Sequence, residues 1–317
     1  MTDRLNVYAY ELACQFINGA DKLRVTCHNL PGGGQIVDCG VQAEGGIAAG
    51  LALAKVCLSG LAEITVVPGE IDGLTWPCVQ VSTDHPVEAC LFSQYAGWRI
   101  NVKTYFAMGS GPMRAAAAVE ELFERLEYRE TSQCTVGVLE TSELPDDSVM
   151  QSIAAKTKVP PEQTILFAAR TSSQSGNFQV LARSVETALH KLFTLGFDVR
   201  RVRSGYGIVP LAPVVADDLT AIGRTNDAIL YGSRVTLWVQ GDDQSLAKIG
   251  PLVPSMASDA YGKPFLEIFE DAGRDFYQID PHLFSPAQIN FHNLDSGYVH
   301  RFGNTAPEIL RESFGLG

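Results

Sequence analysis

The 317-residue sequence has little positive charge. It contains 24 Lys and Arg against 36 Asp and Glu, which gives a formal net charge of −12, and charged residues make up only 19% of the chain. A protein that binds nucleic acid needs a basic surface for the phosphates, so this balance disfavours a nucleic-acid partner. Hydrophobic residues make up 46% of the chain, which is an ordinary composition for a folded enzyme and argues against a disordered chain.

Long apolar runs are also absent. No stretch of about 18 apolar residues occurs, so we expect no membrane-spanning helix. Residues 1–6 lack the basic and then apolar pattern of a secretion signal. We therefore expect a cytoplasmic protein with no membrane partner.

Clustered cysteines are absent as well. The seven cysteines are widely spaced, no C-x-x-C pattern occurs, and most lie in apolar runs, as Cys57 does. A zinc site needs clustered Cys or His side chains, and none is visible, so we expect no metal. Buried, reduced thiols are the expected state of these side chains.

Helical and strand patterns alternate along the chain, which predicts a layered α/β fold. Helices are predicted at 6–18, 46–58, 86–95, 112–126, 146–156, 185–195, 217–222 and 263–272. Strands are predicted at 23–28, 35–41, 64–67, 77–81, 135–139, 164–169, 234–239 and 287–292, with 202–208 as strand or loop. The first two strands flank a Pro-Gly turn and are expected to form a hairpin. The chain length and a charged connector near 127–133 predict two domains, 1–130 and 131–317.

Residues 83–115 combine glycines and polar side chains with few Lys or Glu, which is typical of a mostly apolar pocket. Within this stretch, residues 109–112 (Gly-Ser-Gly-Pro) precede a predicted helix, whose backbone N–H groups could hold an anion. A tight turn with close backbone packing is the other interpretation. His85 follows Asp84, which favours a structural contact at a helix start over a catalytic base.

Arg183 and Glu186 form a sharper pattern. Their i,i+3 spacing places both side chains on one helical face, and the small polar segment 171–177 before them resembles a pocket wall. Two interpretations stay open. The pair is either a solvated ion pair or a buried carboxylate held by a guanidinium, which suits the activation of a water molecule.

A third polar group lies at 225–227, after a short predicted helix. Its amide and carboxylate groups form either a cap or turn, or a set of ligand contacts. No G-x-S-x-G elbow and no phosphate-binding loop motif occur, so neither a serine hydrolase nor a nucleotide hydrolase is supported.

Short blocks over nearly the whole chain resemble methenyltetrahydromethanopterin cyclohydrolase. In order, they are 37–41, 56–62, 83–86, 96–98, 105–112, 183–188, 225–227, 261–265, 276–281 and 284–288. Each block is short, but the set in this order is specific to the family. The sequence departs from the family at 205–210, where the family's usual Gly-rich stretch differs.

This resemblance implies a cytosolic homotrimer whose subunits each have two α/β domains with a deep pocket between them. It also implies reversible hydrolysis of N5,N10-methenyl-tetrahydromethanopterin, or of its dephospho analogue, to the N5-formyl form. The reaction uses water and no metal or prosthetic group. Such enzymes serve one-carbon metabolism in methanogenesis and, during methylotrophy, in formaldehyde oxidation. Glu186 matches the family's water-activating residue, and Arg183 matches its partner.

The resemblance and the pocket-like composition together suggest which residues contact the pterin. Trp98 either packs beside the ring or belongs to the core. The full set of candidate contacts is Ser93, Gln94, Trp98, Gly109, Ser110, Gly111, Thr225, Asn226 and Asp227.

Three alternatives remain. The chain could be a non-catalytic pterin-binding or folate-binding protein, which the presence of both Arg183 and Glu186 disfavours. It could use ATP or phosphate at residues 109–112, which the missing Lys and Mg²⁺-ligand motifs disfavour. It could also be an assembly subunit with a vestigial pocket, which a measurement of ligand affinity would test.

Overall fold

The computed structural model describes residues 4–275 and 278–316, so Phe276 and Tyr277 of one resemblance block lie outside the described residues. The described strands are β1 Thr26–Asn29, β2 Gln35–Gly40, β3 Glu63–Ile71, β4 Leu74–Thr83, β5 Trp98–Val102, β6 Tyr105–Ser110, β7 Thr135–Glu140, β8 Thr164–Ala169, β9 Val202–Pro210, β10 Arg234–Val239, β11 Gln288–Asn293 and β12 Val299–Gly303. The described α-helices are α1 Leu5–Asn18, α2 Ala20–Leu23, α3 Ile47–Cys57, α4 Met113–Ala117, α5 Glu121–Arg125, α6 Asp147–Thr157, α7 Gln174–Leu181, α8 Ser184–Thr194, α9 Asp218–Gly232, α10 Asp243–Ile249, α11 Phe265–Asp271 and α12 Pro307–Phe314. Residues Val87–Gln94 form a π-helix.

The chain divides into two compact units. Unit 1 comprises Met1–Ala62 and Glu88–Val180, and unit 2 comprises Glu63–Val87 and Leu181–Gly317. Each unit holds a six-stranded mixed sheet together with helices, which confirms the predicted α/β fold class.

This division differs from the predicted domains 1–130 and 131–317. Residue 130 falls inside unit 1, between β6 and β7, which are paired neighbours in one sheet. The charged residues near it do not mark a solvated linker, because Glu130 is buried and accepts hydrogen bonds from Asn6.

Unit 1 is built on a sheet of strand order β1-β2-β8-β7-β6-β5. Strands β2, β8 and β7 are parallel, and the outer pairs are antiparallel. Successive side chains point to opposite faces. Val37 and Phe167 therefore pack with α1 and α3, whereas their chain neighbours Ile36 and Leu166 pack with α6. Helices thus cover both faces of this sheet.

Unit 2 holds a sheet of strand order β12-β11-β10-β9-β4-β3. Strands β10 and β11 are parallel, and the other neighbours are antiparallel. Helices α8 and α9 pack on β9, and α11 and α12 pack on α9. The β3–β4 hairpin lies in the first third of the sequence, whereas the other strands of this sheet begin at Val202.

Most predicted elements are confirmed, including the antiparallel hairpin of β1 and β2. The predicted helix 217–222 begins as expected but continues to Gly232. The predicted helix 86–95 is a π-helix, and the first part of the predicted strand 23–28 belongs to α2 and the turn after it. Part of the polar segment 171–177 forms the first turn of α7.

The prediction of one helix over 112–126 is wrong. Helix α4 ends where Ala118 adopts the left-handed conformation, at φ 46°, and α5 begins only after Glu120. The break allows Glu120 to pair with Arg114, six residues earlier. A continuous helix would place these two side chains on different faces, so the pairing of a buried guanidinium overrides local helix propensity.

Asn6 connects three segments of unit 1 and generates a stability prediction. Its buried side-chain amide donates to Glu130 and to the carbonyl of Pro112, and accepts from the Thr135 hydroxyl at 2.7 Å. We expect Asn6→Ala to lower the free energy of unfolding by about 3 kcal/mol, because it leaves buried polar groups without partners.

Urea unfolding measures this loss, with Asn101→Ala as the matched control. Asn101 lies exposed on β5, so its substitution should change stability by less than about 0.5 kcal/mol. An equally small effect of Asn6→Ala would show that the connection is dispensable.

Candidate active site

Arg183 and Glu186 lie at the start of α8 in unit 2. Arg183 occupies the position before the first helical residue, and Glu186 lies in the first turn. Their side chains are 8% and 4% exposed, with Arg183 Nη1 3.8 Å from Glu186 Oε2. The predicted common face is confirmed, and the burial excludes the solvated ion pair. A carboxylate in the first turn also faces the positive end of the helix dipole.

Two glycines of β9 explain why the first turn of α8 is buried. A Cβ at Gly207 would overlap Ser184 Oγ, and a Cβ at Gly205 would lie 2.6 Å from Val185 Cγ1. Only residues without a side chain allow this approach, because interiors are close-packed. The stretch 205–210, where the sequence departs from the family pattern, therefore supports the turn that carries Arg183 and Glu186.

The block 83–86 lies next to the same strand. Thr83 ends β4 and pairs with Gly205 of β9. Its hydroxyl accepts a hydrogen bond from the His85 N–H at 2.9 Å, and Asp84 accepts one from Ser204 Oγ at 2.7 Å. Within unit 2, the structure thus places block 83–86 beside the strand that supports the Arg183–Glu186 turn.

Ser93 and Ser110 belong to one buried polar cluster in unit 1. Ser93 Oγ donates to the carbonyl of Cys57 at 2.7 Å, so the Ser59 hydroxyl must be the donor in its 2.8 Å contact with Ser93 Oγ. Ser110 Oγ donates to the carbonyl of Val138 and lies 3.4 Å from Cys57 Sγ. Gln179 Nε2 donates to Cys57 Sγ. Sequence reasoning identified the two serines and missed their common partner, although Cys57 lies in a resemblance block.

Gln94 is fully buried at the last position of the π-helix. Helices of this kind are rare and are frequent at functional sites. Trp98 is the first residue of β5 and packs in the core of unit 1, which favours the core interpretation for this side chain.

Gly109 and Ser110 are the last two residues of β6, and the chain turns at Gly111 towards α4. Gly111 has φ +84°, and a Cβ at Gly109 would lie 2.8 Å from Met113 Cε. Helix α4 has only five residues, so its dipole is small. The geometry favours close backbone packing over an anion site at this turn.

The prediction of a cap or turn at 225–227 is wrong, because these residues lie in the middle of α9. Thr225 Oγ1 and Asn226 Nδ2 donate to carbonyls of their own helix. Asp227 accepts from the Phe265 N–H at 2.7 Å and from Ser313 Oγ at 2.5 Å, which ties α9 to α11 and α12.

These positions fall within a long match to a known family. A family model described as Cyclohydrolase (MCH) matches residues 4–314.

The chain belongs to the cyclohydrolase (MCH) family. Three proteins that are similar to this chain are each named methenyltetrahydromethanopterin cyclohydrolase. The protein of Rhodopirellula baltica is 45% identical over 307 residues, covering 94% of this chain and 91% of the relative. That of Methanosarcina barkeri is 41% identical over 305 residues, covering 95% of each chain. That of Methylobacterium sp. (strain 4-46) is 43% identical over 316 residues, covering 98% of this chain and 97% of the relative. The resemblance predicted from the sequence is confirmed.

Between residues 4 and 316, leaving out 276 and 277, no group of three or more His, Cys, Asp or Glu side chains is placed to hold a metal ion. In the same residues, every helix is too short or too polar to span a bilayer.

Asp227 generates a pH-dependent prediction. Burial raises the pKa of Asp227 to about 7, although the hydrogen bonds from Ser313 and Phe265 act in the opposite direction. The unfolded chain has a pKa near the ordinary 3.8, so only the folded protein holds this proton between the two values. This bound proton stabilises the folded state. The stabilisation is complete below the unfolded pKa of 3.8 and is lost as the pH rises to about 7.

The variant Asp227→Asn does not titrate, so its stability relative to the parent should rise by about 2–4 kcal/mol between pH 5 and pH 8. Urea unfolding at both values measures this change. Asp217→Asn is the control on the same helix: the Thr220 N–H lowers the pKa of Asp217, so the difference should stay flat over this range. An equally flat difference for Asp227→Asn would contradict the raised pKa.

Proposed function

We propose that this chain catalyses the reversible hydrolysis of N5,N10-methenyl-tetrahydromethanopterin to N5-formyl-tetrahydromethanopterin. The observation that carries the proposal is the buried Arg183–Glu186 pair at the start of α8, in a chain whose relatives bear the name of this activity. The activity is that of a hydrolase acting on the C–N bond of a cyclic amidine.

The substrate explains why a carboxylate is sufficient. Its methenyl carbon lies between two nitrogens and carries delocalised positive charge, so it is already a good electrophile. Glu186 holds a water molecule against this carbon and accepts one of its protons as the C–O bond forms. The negative charge of Glu186 also stabilises the cationic substrate and the path to the adduct.

The adduct then opens to the product. The C–N10 bond breaks, Glu186 returns its proton to N10, and the adduct hydroxyl loses its own proton as the formyl C=O forms. One proton is released overall, which balances the loss of the substrate's positive charge. Arg183 is neutralised by Glu186 and therefore does not repel the cation, and its role is to hold the carboxylate in position.

In unit 1, we propose that the pterin is contacted by Ser93, Gln94 and residues 109–111. The support is their common environment, since Ser93 and Ser110 meet at Cys57. The Ser93 hydroxyl is occupied by Cys57 and Ser59, so Ser93 makes a van der Waals contact with the pterin and fixes the position of Gln94. Trp98 and residues 225–227 are left out of this set, because their observed contacts are structural.

The biological setting is proposed on the family resemblance alone. It comprises a cytoplasmic homotrimer that needs no prosthetic group and uses the pterin or its dephospho analogue in methanogenesis or in methylotrophic formaldehyde oxidation. Light scattering of the purified protein would test the trimer. Activity with the pterin and with its dephospho analogue would identify which of the two is the substrate.

The first test is loss of the methenyl chromophore with parent protein and with Glu186→Gln. We expect the variant to stay folded and its kcat to fall by about 10²–10⁴-fold, the usual effect of losing a general base. Unchanged turnover would remove Glu186 from the mechanism.

The matched control is Glu308→Gln, which makes the same change at an exposed position in the first turn of α12 and should leave kcat unaltered. A parent that binds the pterin without converting it would instead identify a non-catalytic binding protein. A parent with no affinity for the pterin would favour an assembly subunit.

Arg183 has a separate prediction. Arg183→Ala should lower kcat by about 10²-fold through loss of carboxylate orientation, and should also reduce stability because it leaves a buried charge unpaired. Arg183→Lys keeps the charge, so it should keep most of the stability while still lowering kcat. Denaturation midpoints and kcat are measured on the same samples, and a change confined to the midpoints would assign Arg183 a structural role only.

A further inference from the structure

The π-helix Val87–Gln94 ends in an unusual way. A π-helix bonds each carbonyl to the N–H five residues later, and the last such bond runs from the Tyr95 N–H to the Cys90 carbonyl at 2.8 Å. The carbonyls after it have no intrahelical donor. Two of them, those of Leu91 and Ser93, accept from Arg114 Nη1 at 2.9 and 3.2 Å.

Arg114 is fully buried, and its charge is balanced by Glu120. Nε donates to both carboxylate oxygens of Glu120, at 2.9 and 3.1 Å, and Nη2 donates to Oε1 at 2.6 Å. The planar guanidinium therefore uses one edge for the carboxylate and Nη1 for the two helix carbonyls. The ammonium group of a Lys side chain could not make both sets of hydrogen bonds, because it lacks this planar arrangement of donors.

The surroundings fit this group closely. The guanidinium carbon lies 5.0 Å from the centre of the Tyr95 ring and 5.2 Å from that of Phe123. A Cβ at Gly97 would overlap Glu120 Oε1. The helix break at Ala118 places Glu120 within reach. Several separate features of the chain thus accommodate one ion pair.

Stability alone gives a weak reason for this arrangement, because an apolar group of similar size often stabilises a fold as well as a buried ion pair does. An apolar group could not, however, donate to the two carbonyls. The last turn of the π-helix is thereby held at two points: Arg114 binds its main chain, and Ser93 Oγ is bound to the carbonyl of Cys57.

We infer that Arg114 is a positioning residue for pterin binding: it holds the last turn of the π-helix so that Ser93 and Gln94 are presented to the substrate. This inference rests on the proposed function, in which these two residues contact the pterin. Arg114 itself is fully buried and contacts no substrate. Its effect should appear in binding and leave the chemical step at Glu186 intact.

The test compares the parent with Arg114→Lys, which keeps the charge opposite Glu120 and removes the fork. We expect KM for the methenyl substrate to rise about tenfold or more, with kcat within about threefold of the parent, as for loss of a contact made equally in ground and transition states. The dissociation constant of the formyl product, followed by tryptophan fluorescence, should rise in parallel. Arg125→Lys is the control, since Arg125 lies 3.9 Å from Glu121 on the exposed face of α5, and it should change neither constant.

The outcomes are distinct. A fall in kcat with unchanged KM would mean that only the folded fraction has changed, and would overturn the inference, as would unchanged constants in a folded variant. If Arg114→Lys does not fold, Glu120→Asp makes the comparison, because it keeps both charges and draws the guanidinium away from the carbonyls. This variant should raise KM by a smaller factor, and an unchanged KM would overturn the inference.

A parent that binds the pterin without turnover would overturn the proposed function alone, since the binding comparison would still stand. A parent that neither binds nor converts it would overturn both.

Discussion

The close approach of α8 to strand β9 is the constraint on which the candidate site depends. Gly205 and Gly207 allow the first turn of the helix to lie directly on the strand. The side chains of Arg183 and Glu186, in the same turn, are also buried. A single buried charge would be strongly unfavourable, so the burial itself requires that the two side chains lie close together.

The same rule operates elsewhere in the fold. The buried Asp38 carboxylate accepts four backbone N–H groups, those of residues 40–43, at 2.7 to 3.0 Å. Lys191 is buried on α8 and donates to the His282 carbonyl at 2.6 Å. Each of these charges bonds to main-chain groups in loops or at helix ends, where regular structure supplies no partner. With only 19% charged residues, this chain uses several of them to order its backbone.

Sequence patterns predicted the elements whose cause is local. Asp146 begins α6 by accepting the N–H groups of its first turn, and the alternating strands follow from side chains that face two packed layers. The i,i+3 pair on α8 was found because helical spacing is itself local. The break at Ala118 and the roles of Cys57 and Asp227 could not be found in this way. Cys57 and Asp227 have partners far along the chain, and for Asp227 these are on α11 and α12. The break at Ala118 follows from the burial of Arg114, which also donates to the distant carbonyls of Leu91 and Ser93. The contiguous domain boundary failed to match the two units for the same reason, since a charged run looks like a linker unless its buried partner is known.

The early position of the β3–β4 hairpin has a consequence for synthesis. Strand β4 ends at Thr83, whereas its other neighbour, β9, begins at Val202, about 120 residues later. At about 5–20 residues per second, a ribosome needs roughly 6–24 s to add that length. During this interval Val79 and Val81, which are fully buried in the finished protein, stand on a strand with one open edge. Such an edge is a template for pairing with other chains, so the nascent polypeptide is exposed to aggregation through β4 while residues 84–201 are being made. A chaperone that covers β4 in that period would raise the yield of folded protein.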